Sequence, residues 1–587
     1  MIRITSPTHG SASSGLRDQR QRRRRRLAHL LLASLLPAVA QAQTRPHHRN
    51  RGTAAPVKAV TRTEPTPING LSPGDIDLLD DISRRAFRYF WEWTDPNTGL
   101  TLDRARADGQ PEDNPNHLHV ASIAATGFGL TAFCIAADHR LISRETARER
   151  VLPTLRFFAY SAPRKHGWFY HYLDSVTGQR RWTSEVSSID TALLLAGILT
   201  VRQSFSDDAE VVELSTLIYN RVDFPWMMDG SETYFSHGWT PESGFFKYRW
   251  DTYSELMILY VLGIGSPTHP IPPYTWNAWR LPIVNEGNYT FVGGGPLFIQ
   301  QYSQAWIDLR DRVDQGSLNG QLVPKVNYFA NAVAATYAQR EAFSKVLSRK
   351  FPGYSDNVWG LTSSESVKGY TDWGGSLADP RIDGTVTPSA AGGSLMFAPN
   401  ICLPALRTML VKYGKEIYGR YGFADAFNPT TGWVSPYVLG IDVGITMLSD
   451  ENLRTGDVWK WFMSNVEVQR ALDLVGLVRI PPAKQPSTLV AAGAPGGESK
   501  PEAGTETNEP PAISLSPGAP IPESSFKFKI PVPAWLQTPP PPPGGNAPSR
   551  SPSEPPAAGS TSSPPADRPP PSGSASSHPA DPPSGPQ

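Results

Sequence analysis

The stretch Glu185-Val-Ser-Ser-Ile-Asp190-Thr-Ala-Leu-Leu-Leu-Ala-Gly-Ile-Leu199 passes from polar residues bearing two acids into an unbroken apolar run. The apolar half has no polar stripe, so a helix formed there must be covered on every side. It is too short to cross a bilayer, which needs about 20 charge-free residues. Ala196 and Gly197 leave room for a neighbouring helix to approach closely. Ala124-Ala-Thr-Gly-Phe-Gly-Leu-Thr-Ala-Phe133 has the same character. The two segments predict an inner ring of buried helices wrapped by an outer ring, an all-α fold of the α/α barrel (toroid) type. A coiled coil or open solenoid would need a strict short repeat, and none is found.

Outward from these segments, apolar residues recur at helical spacing in about eleven stretches. These are 75–93, 120–137, 144–161, 189–204, 209–222, 252–262, 298–311, 326–349, 400–413, 439–449 and 458–474. Convincing strands are almost absent. Long loops at 95–119, 163–185, 228–250, 267–295, 353–393 and 421–433 are rich in Gly, Pro, Trp, Tyr and Asp. In a toroid such loops leave the same end of the inner helices, so their polar and aromatic residues converge, and loops of this length are usually functional.

Composition divides the 587 residues unevenly. The basic run Arg20-Gln-Arg-Arg-Arg-Arg-Arg26, the apolar stretch 27–40 and the small residues Ala38-Val-Ala40 and Ala40-Gln-Ala42 read as an export signal at 1–42. Either the Sec or the twin-arginine route fits. Residues 43–68 read as a flexible lead-in and 69–481 as the folded domain. The Pro/Ser/Gly-rich tail at 482–587 cannot bury enough apolar surface to offset chain entropy and is expected to be disordered. Within it, Phe526-Lys-Phe-Lys-Ile-Pro-Val-Pro-Ala-Trp535 alternates like a strand.

With a net charge of only +1 and an apolar core abutting the arginines, no nucleic-acid partner is expected. No membrane span should remain after signal removal, and the protein should be a monomer. Cys134 and Cys402, the two cysteines, lie in apolar stretches and read as buried thiols. The twelve histidines show no zinc-ligand spacing, so neither a metal nor a cofactor is expected.

Trp250-Asp-Thr-Tyr-Ser-Glu255-Leu-Met-Ile-Leu repeats the pattern of acids ahead of an apolar run. A single acid there is more often a helix cap than a catalyst. The surroundings favour chemistry, because Trp168, Tyr170, His171, Tyr172, Trp182, Trp239, Trp250 and Tyr253 crowd the same segments. Aromatic faces stack on sugar rings and carboxylates bind sugar hydroxyls, so the mixture suits a glycan cleft. Glu255 is the candidate general acid. It lies four residues after Asp251, so on a helix the two acids would share a face and raise each other's pKa. Glu185 and Asp190 are candidates for the base. Asp251, Tyr253, Trp250, His171, Asp103, Arg104, Trp373 and Gln301 are candidate substrate ligands, with Trp373 placed by its Gly-rich loop as a sugar platform rather than core. Glu242, Asp383 and Asp425 are subsite residues or loop braces.

Several segments together carry a family resemblance: Asp95-Pro-Asn-Thr-Gly-Leu with Asp103-Arg-Ala, Ser122-Ile-Ala-Ala-Thr-Gly-Phe-Gly-Leu, Gly167-Trp-Phe-Tyr-His-Tyr-Leu-Asp174 and Glu185 to Gly197. Trp250-Asp-Thr-Tyr-Ser-Glu255, Gly265-Ser-Pro-Thr-His-Pro, Trp359-Gly-Leu-Thr, Tyr421-Gly-Phe-Ala-Asp-Ala-Phe-Asn428 and Glu451-Asn-Leu-Arg-Thr-Gly456 continue it in order across about 82–476. The chain resembles the glycoamylase-like family of bacterial glycoside hydrolases. The resemblance implies a six-hairpin α/α barrel, action on β-1,2-linked glucan and an inverting mechanism without a metal. One departure stands out. Where relatives read His-Gln-Tyr-Ser-His, this chain has Gln300-Gln-Tyr-Ser-Gln304. If that segment lines the cleft, losing two imidazoles alters the substrate or the chemistry. The expected function is thus an exported glycoside hydrolase with a glucan as its partner. A transglycosylase and a non-catalytic periplasmic glycan-binding protein are the alternatives.

Overall fold

The computed structural model describes residues 70–479, except 295, 315–316, 319–320, 323–325 and 374–378. The expected export signal, lead-in and tail lie outside the described residues. The described chain forms fourteen α-helices: α1 (Pro73–Trp93), α2 (Ile123–Asp138), α3 (Arg144–Arg156), α4 (Ser188–Ser204), α5 (Ala209–Asn220), α6 (Phe224–Met227), α7 (Met257–Gly265), α8 (Phe298–Trp306), α9 (Tyr328–Glu341), α10 (Pro388–Gly392), α11 (Pro399–Ile417), α12 (Gly440–Arg454), α13 (Asp457–Met463) and α14 (Val466–Leu474).

Six of them, α2, α4, α7, α8, α10 and α12, are buried along nearly their whole length. The longer helices between them bury one face, as α1 does with Ile76, Leu79, Ile82, Ala86 and Phe90. Among the buried helices, α4 packs on α2 and α7, α2 packs on α12, and α12 packs on α8 and α10. The small residues act as their positions suggested. A Cβ placed on Gly197 would lie 2.1 Å from the carbonyl oxygen of Gly127, and one on Gly127 would lie 2.3 Å from that of Leu193. Here α2 and α4 meet backbone to backbone.

Helix starts follow local chemistry. Ser72 and Asp75 form a capping box with Pro73 at the first turn of α1. Ser122 and Ser187 cap α2 and α4 by accepting from the backbone N–H three residues on. The chain differs from its sequence reading at several helix bounds and in its strands; the helix expected over 298–311 ends at Trp306. The predicted helix at 458–474 is two, α13 and α14, parted by Ser464 and Asn465. Short strands of two to four residues, nearly absent from the reading, punctuate the loops. They are too short for a period-2 pattern to show; several are tight local hairpins, while β-pairs such as 104–106 with 437–439 join segments remote in sequence.

Four of these pairings set the site. Strand β1 (Arg104–Arg106) pairs antiparallel with β7 (Tyr437–Leu439), and β2 (Val120–Ser122) with β3 (Tyr172–Asp174). Strands β4 (Val186–Ser187), β5 (Gly238–Thr240) and β6 (Gly244–Phe245) form a three-stranded sheet. β2, β4 and β7 each run directly into a buried helix, α2, α4 and α12 respectively. Cys134 and Cys402 are buried free thiols. Among the described residues no helix is long and apolar enough to cross a membrane.

Candidate active site

Glu185 precedes β4, and Asp190 is the third residue of α4, where Ser187 donates to its Oδ2 at 2.6 Å. His171, just ahead of β3, lies between them. Its Nδ1 is 3.0 Å from Glu185 Oε1 and its Nε2 is 3.5 Å from Asp190 Oδ1. Burial disfavours a charged ring, but the Asp190 and Glu185 carboxylates outweigh it and raise the imidazole pKa to about 9. Glu185 is also buried, yet the same contact holds its carboxyl below the ordinary value. For Asp190 burial wins over the His171 charge and the Ser187 hydroxyl, and its pKa is raised. The ligand atoms of His171, Glu185 and Asp190 lie within 4.8 Å of one another, a spacing that could hold a metal ion. Because each ring nitrogen faces a different carboxylate and the ring is protonated at neutral pH, the geometry is that of a cation between two anions.

Glu255 approaches from the segment before α7. The expectation of a helix over 252–262 is corrected: α7 begins only at Met257. Upstream, the backbone is engaged by Arg280, which accepts from Tyr253 N–H and donates to Asp251 O, each at 2.8 Å. Asp251 and Glu255 therefore share no helix face, and Asp251 pairs at the surface with Arg280 at 3.2 Å. Burial pushes the Glu255 carboxyl up to about 7, and the charge of Asp190 adds to it, the part that Asp251 was expected to play. The Glu255 carbonyl accepts from Ser303 of α8, whose Oγ also accepts from Ile258 N–H at 3.0 Å.

A second cluster faces the first. Asp103 bonds Arg104 at 3.0 Å, and Arg104 also pairs with Glu365. The Glu365 N–H donates to Asp425 Oδ2 at 2.6 Å. Asp425 in turn lies against Asp442, and burial together with that facing carboxyl raises Asp425. Asp442 rises to about 6, also through burial, with Ser389 and Asp425 bonding its charged form. Two buried carboxyls in contact share a proton. Beside them, Ser389, Asp425, Asp442, Ile82 and Tyr421 line a cavity of about 30 Å³, room for about one water. Asp442 and Glu365 escaped the sequence reading. A signal for Asp442 was present, since Ser188-Ile-Asp190 and Gly440-Ile-Asp442 each place an acid third in a buried helix.

The remaining candidates are placed as follows. Trp250 is buried, stacked on His237 with centroids 4.0 Å apart, and donates from Nε1 to Ser188 Oγ at 2.8 Å. Burial lowers the His237 pKa to about 4, so the ring stacked on the Trp250 indole is a neutral imidazole. Tyr253 is buried and donates to Gln300 Oε1 at 2.7 Å. Trp373 was expected to be a sugar platform, but it is 1% exposed and bonds Ser364, which makes it core. Gln301 is likewise buried and donates to Ala390 O and Ser394 Oγ. The altered segment 300–304 therefore does not line the cleft. Gln300 satisfies Tyr253, Asn331 and Val292, while Gln304 donates to Gln300 O and Tyr328 O. Exposed Glu242 pairs with Arg180, and Asp383 braces Thr385, both loop roles.

The helical fold is shared with solved structures of glucoamylase-like glycoside hydrolases. The glycoamylase family model, described as "Putative glucoamylase", matches residues 247–466. A solved structure of the same description from Bacteroides fragilis is 30% identical, with a TM-score of 0.62, covering 71% of this chain and 100% of its own. The endo-β-1,2-glucanase from Chitinophaga pinensis, solved with sophorotriose and glucose, is 28% identical, with a TM-score of 0.61, covering 69% of this chain and 98% of its own. An exo β-1,2-glucooligosaccharide sophorohydrolase (non-reducing end) from Parabacteroides distasonis is 27% identical over 448 residues, 69% of this chain. The chain spans 58% of the length of that curated relative. The chain belongs to the glycoamylase-like family of glycoside hydrolases.

Proposed function

We propose that the protein is an exported hydrolase of β-1,2-linked glucan, acting by inversion at the mouth of a six-hairpin α/α barrel. The observation that carries the reading is Glu255. Its carboxyl has a pKa of about 7 and lies beside the Asp190 charge, while Glu185 is held ionised by His171. Inverting hydrolysis needs such a pair, one carboxyl that keeps its proton near neutrality and one that has lost it. Glu255 gives its proton to the glycosidic oxygen as the C1–O bond breaks. Water attacks C1 from the opposite face and passes its proton to Glu185. Asp190 then serves two ends, raising Glu255 and binding sugar hydroxyls.

The substrate class is supported by the β-1,2-glucan relatives from Chitinophaga and Parabacteroides. The six-hairpin reading is supported by six buried helices that are mostly interleaved along the chain with more exposed ones; α7 and α8 follow one another directly, and α14 packs on α7. Export is supported by Arg20–Arg26 and the apolar stretch after it. The test is incubation with linear and cyclic glucans of several linkages, with products resolved by size and anomeric configuration. Inverted products from β-1,2-glucan alone are expected. Retained anomers would point to transglycosylation, and inertness on every β-1,2-linked substrate would refute the reading.

A further inference from the structure

We propose that Trp182 is a sugar platform beside the carboxylate centre, holding a glucosyl unit of the bound glucan beyond the pair that reacts. The proposal deepens the reading of the protein as a β-1,2-glucan hydrolase and rests on it. Trp182 is 37% exposed and has a φ of 53°, a left-handed conformation that bulky side chains rarely adopt. Backbone strain of this kind persists only where the surroundings enforce it, and it concentrates at ligand sites.

Both neighbours enforce it. Arg180 donates to Ser184 O at 2.7 Å and grips Glu242 with two bonds, at 2.7 and 3.0 Å. Arg181 reaches Pro115 O and Leu118 O, and its N–H donates to Tyr172 O at 2.9 Å. The turn is thus fixed on either side of Trp182 by contacts that the indole does not make. A residue held so at a strained φ, with more than a third of its surface left to solvent, is not explained by its edge contact with Tyr172 alone.

The ring also has a direction. Its edge meets Tyr172 with centroids 5.2 Å apart, and Tyr172 stacks on His171 at 3.8 Å. His171 in turn lies between Glu185 and Asp190. A row of rings therefore leads from solvent to the centre, with the indole at its outer end. The apolar face of a glucose ring suits an indole, and a neutral glucan needs no charge there. A unit bound at Trp182 is two rings away from the His171 centre. Its loss should weaken binding of long chains without slowing bond cleavage.

The experiment compares kcat and KM of wild type and Trp182→Gly on long linear β-1,2-glucan and on the shortest oligosaccharide hydrolysed. Glycine adopts the same φ without strain, so the variant keeps the turn. Expected are a KM on long glucan raised about five- to tenfold, an unchanged kcat and an unchanged KM on the short substrate. Trp182→Tyr should restore most of the affinity, and the Tm of Trp182→Gly should equal or exceed that of wild type. An unchanged KM on long glucan, or an equal rise on both substrates, would overturn the proposal. So would a lower Tm with KM intact, which would make the indole a cover for Tyr172. Wild-type protein inert on β-1,2-glucan would instead refute the underlying hydrolase reading, and this proposal with it.

Discussion

Replacing His171 with Gln removes the cation that Glu185 and Asp190 share while leaving a side chain able to hydrogen-bond. The ring rises from an ordinary value near 6.5 to about 9, which corresponds to about 3 kcal/mol of preference for the charged form in the folded state. Because the folded value lies above the unfolded one, the contribution is fully present below pH 6.5 and is lost as pH rises through about 9. His171→Gln should therefore be less stable than wild type by about 3 kcal/mol at pH 6, with the gap closing towards zero by about pH 10. Urea unfolding of both proteins at half-unit steps from pH 5.5 to 10 measures it. The difference between them cancels the titrating groups that His171 does not touch, so what is left is the titration of His171 with Glu185 and Asp190. A gap that stays constant across that range would show that the ring is not held as a cation, and with it the account of why Glu185 stays ionised would fall.

Glu255→Gln should lower kcat on β-1,2-glucan by about 100- to 10,000-fold with helical circular dichroism preserved, and in wild type the alkaline limb of kcat/KM should lie near pH 7. Near-normal turnover by the variant would remove Glu255 as the acid. Asp425→Asn should relieve the carboxyl pair. A carboxyl raised on folding costs stability as pH climbs from its unfolded value through its folded one, so the variant should match wild type at pH 4 and be the more stable of the two at pH 8 in thermal melts. A variant less stable at both pH values would contradict the shared proton. Gly197→Ala sets a methyl 2.1 Å from the Gly127 carbonyl, and a loss of about 3 kcal/mol or more is expected, read as a lowered urea midpoint. An unchanged midpoint would mean that the two helices can part freely.

Much of the barrel could be read from residue types because buried helices advertise themselves. Ala124–Phe133 and Leu193–Leu199 lack any polar face, and both proved buried from end to end. Serine before such a run marked the start of α2 and α4 for the same reason it caps them. What remained hidden depends on partners remote in sequence. The start of α7 is delayed by backbone bonds to Arg280, some thirty residues away, and no local pattern near Asp251 records them. Trp373 stands in a Gly-rich segment that suggested exposure, yet Ser364 draws its indole inside. At the mouth, Glu185, Asp190, His171 and Glu255 were visible as acids and imidazole ahead of apolar runs. Their mutual arrangement was not visible, because it depends on a short antiparallel bridge, Tyr170 with Val186 and the His171 N–H to Glu185 O, that no local pattern announces. The altered segment 300–304 shows the converse. Its glutamines looked like a change in the cleft and turned out to be internal bonds of the core.

The contact between Gly127 and Gly197 also works as a gauge. Asp103 is tied to the strand that feeds α2, through its N–H to Val120 O, and Asp190 rides on α4. With no side chain between the two helices, their separation is the least that two backbones allow, and it cannot drift as side chains repack. The spacing of acids on neighbouring hairpins is thus set deep in the wall, far from any sugar. Loops at the mouth can vary in length and sequence while that calibration holds.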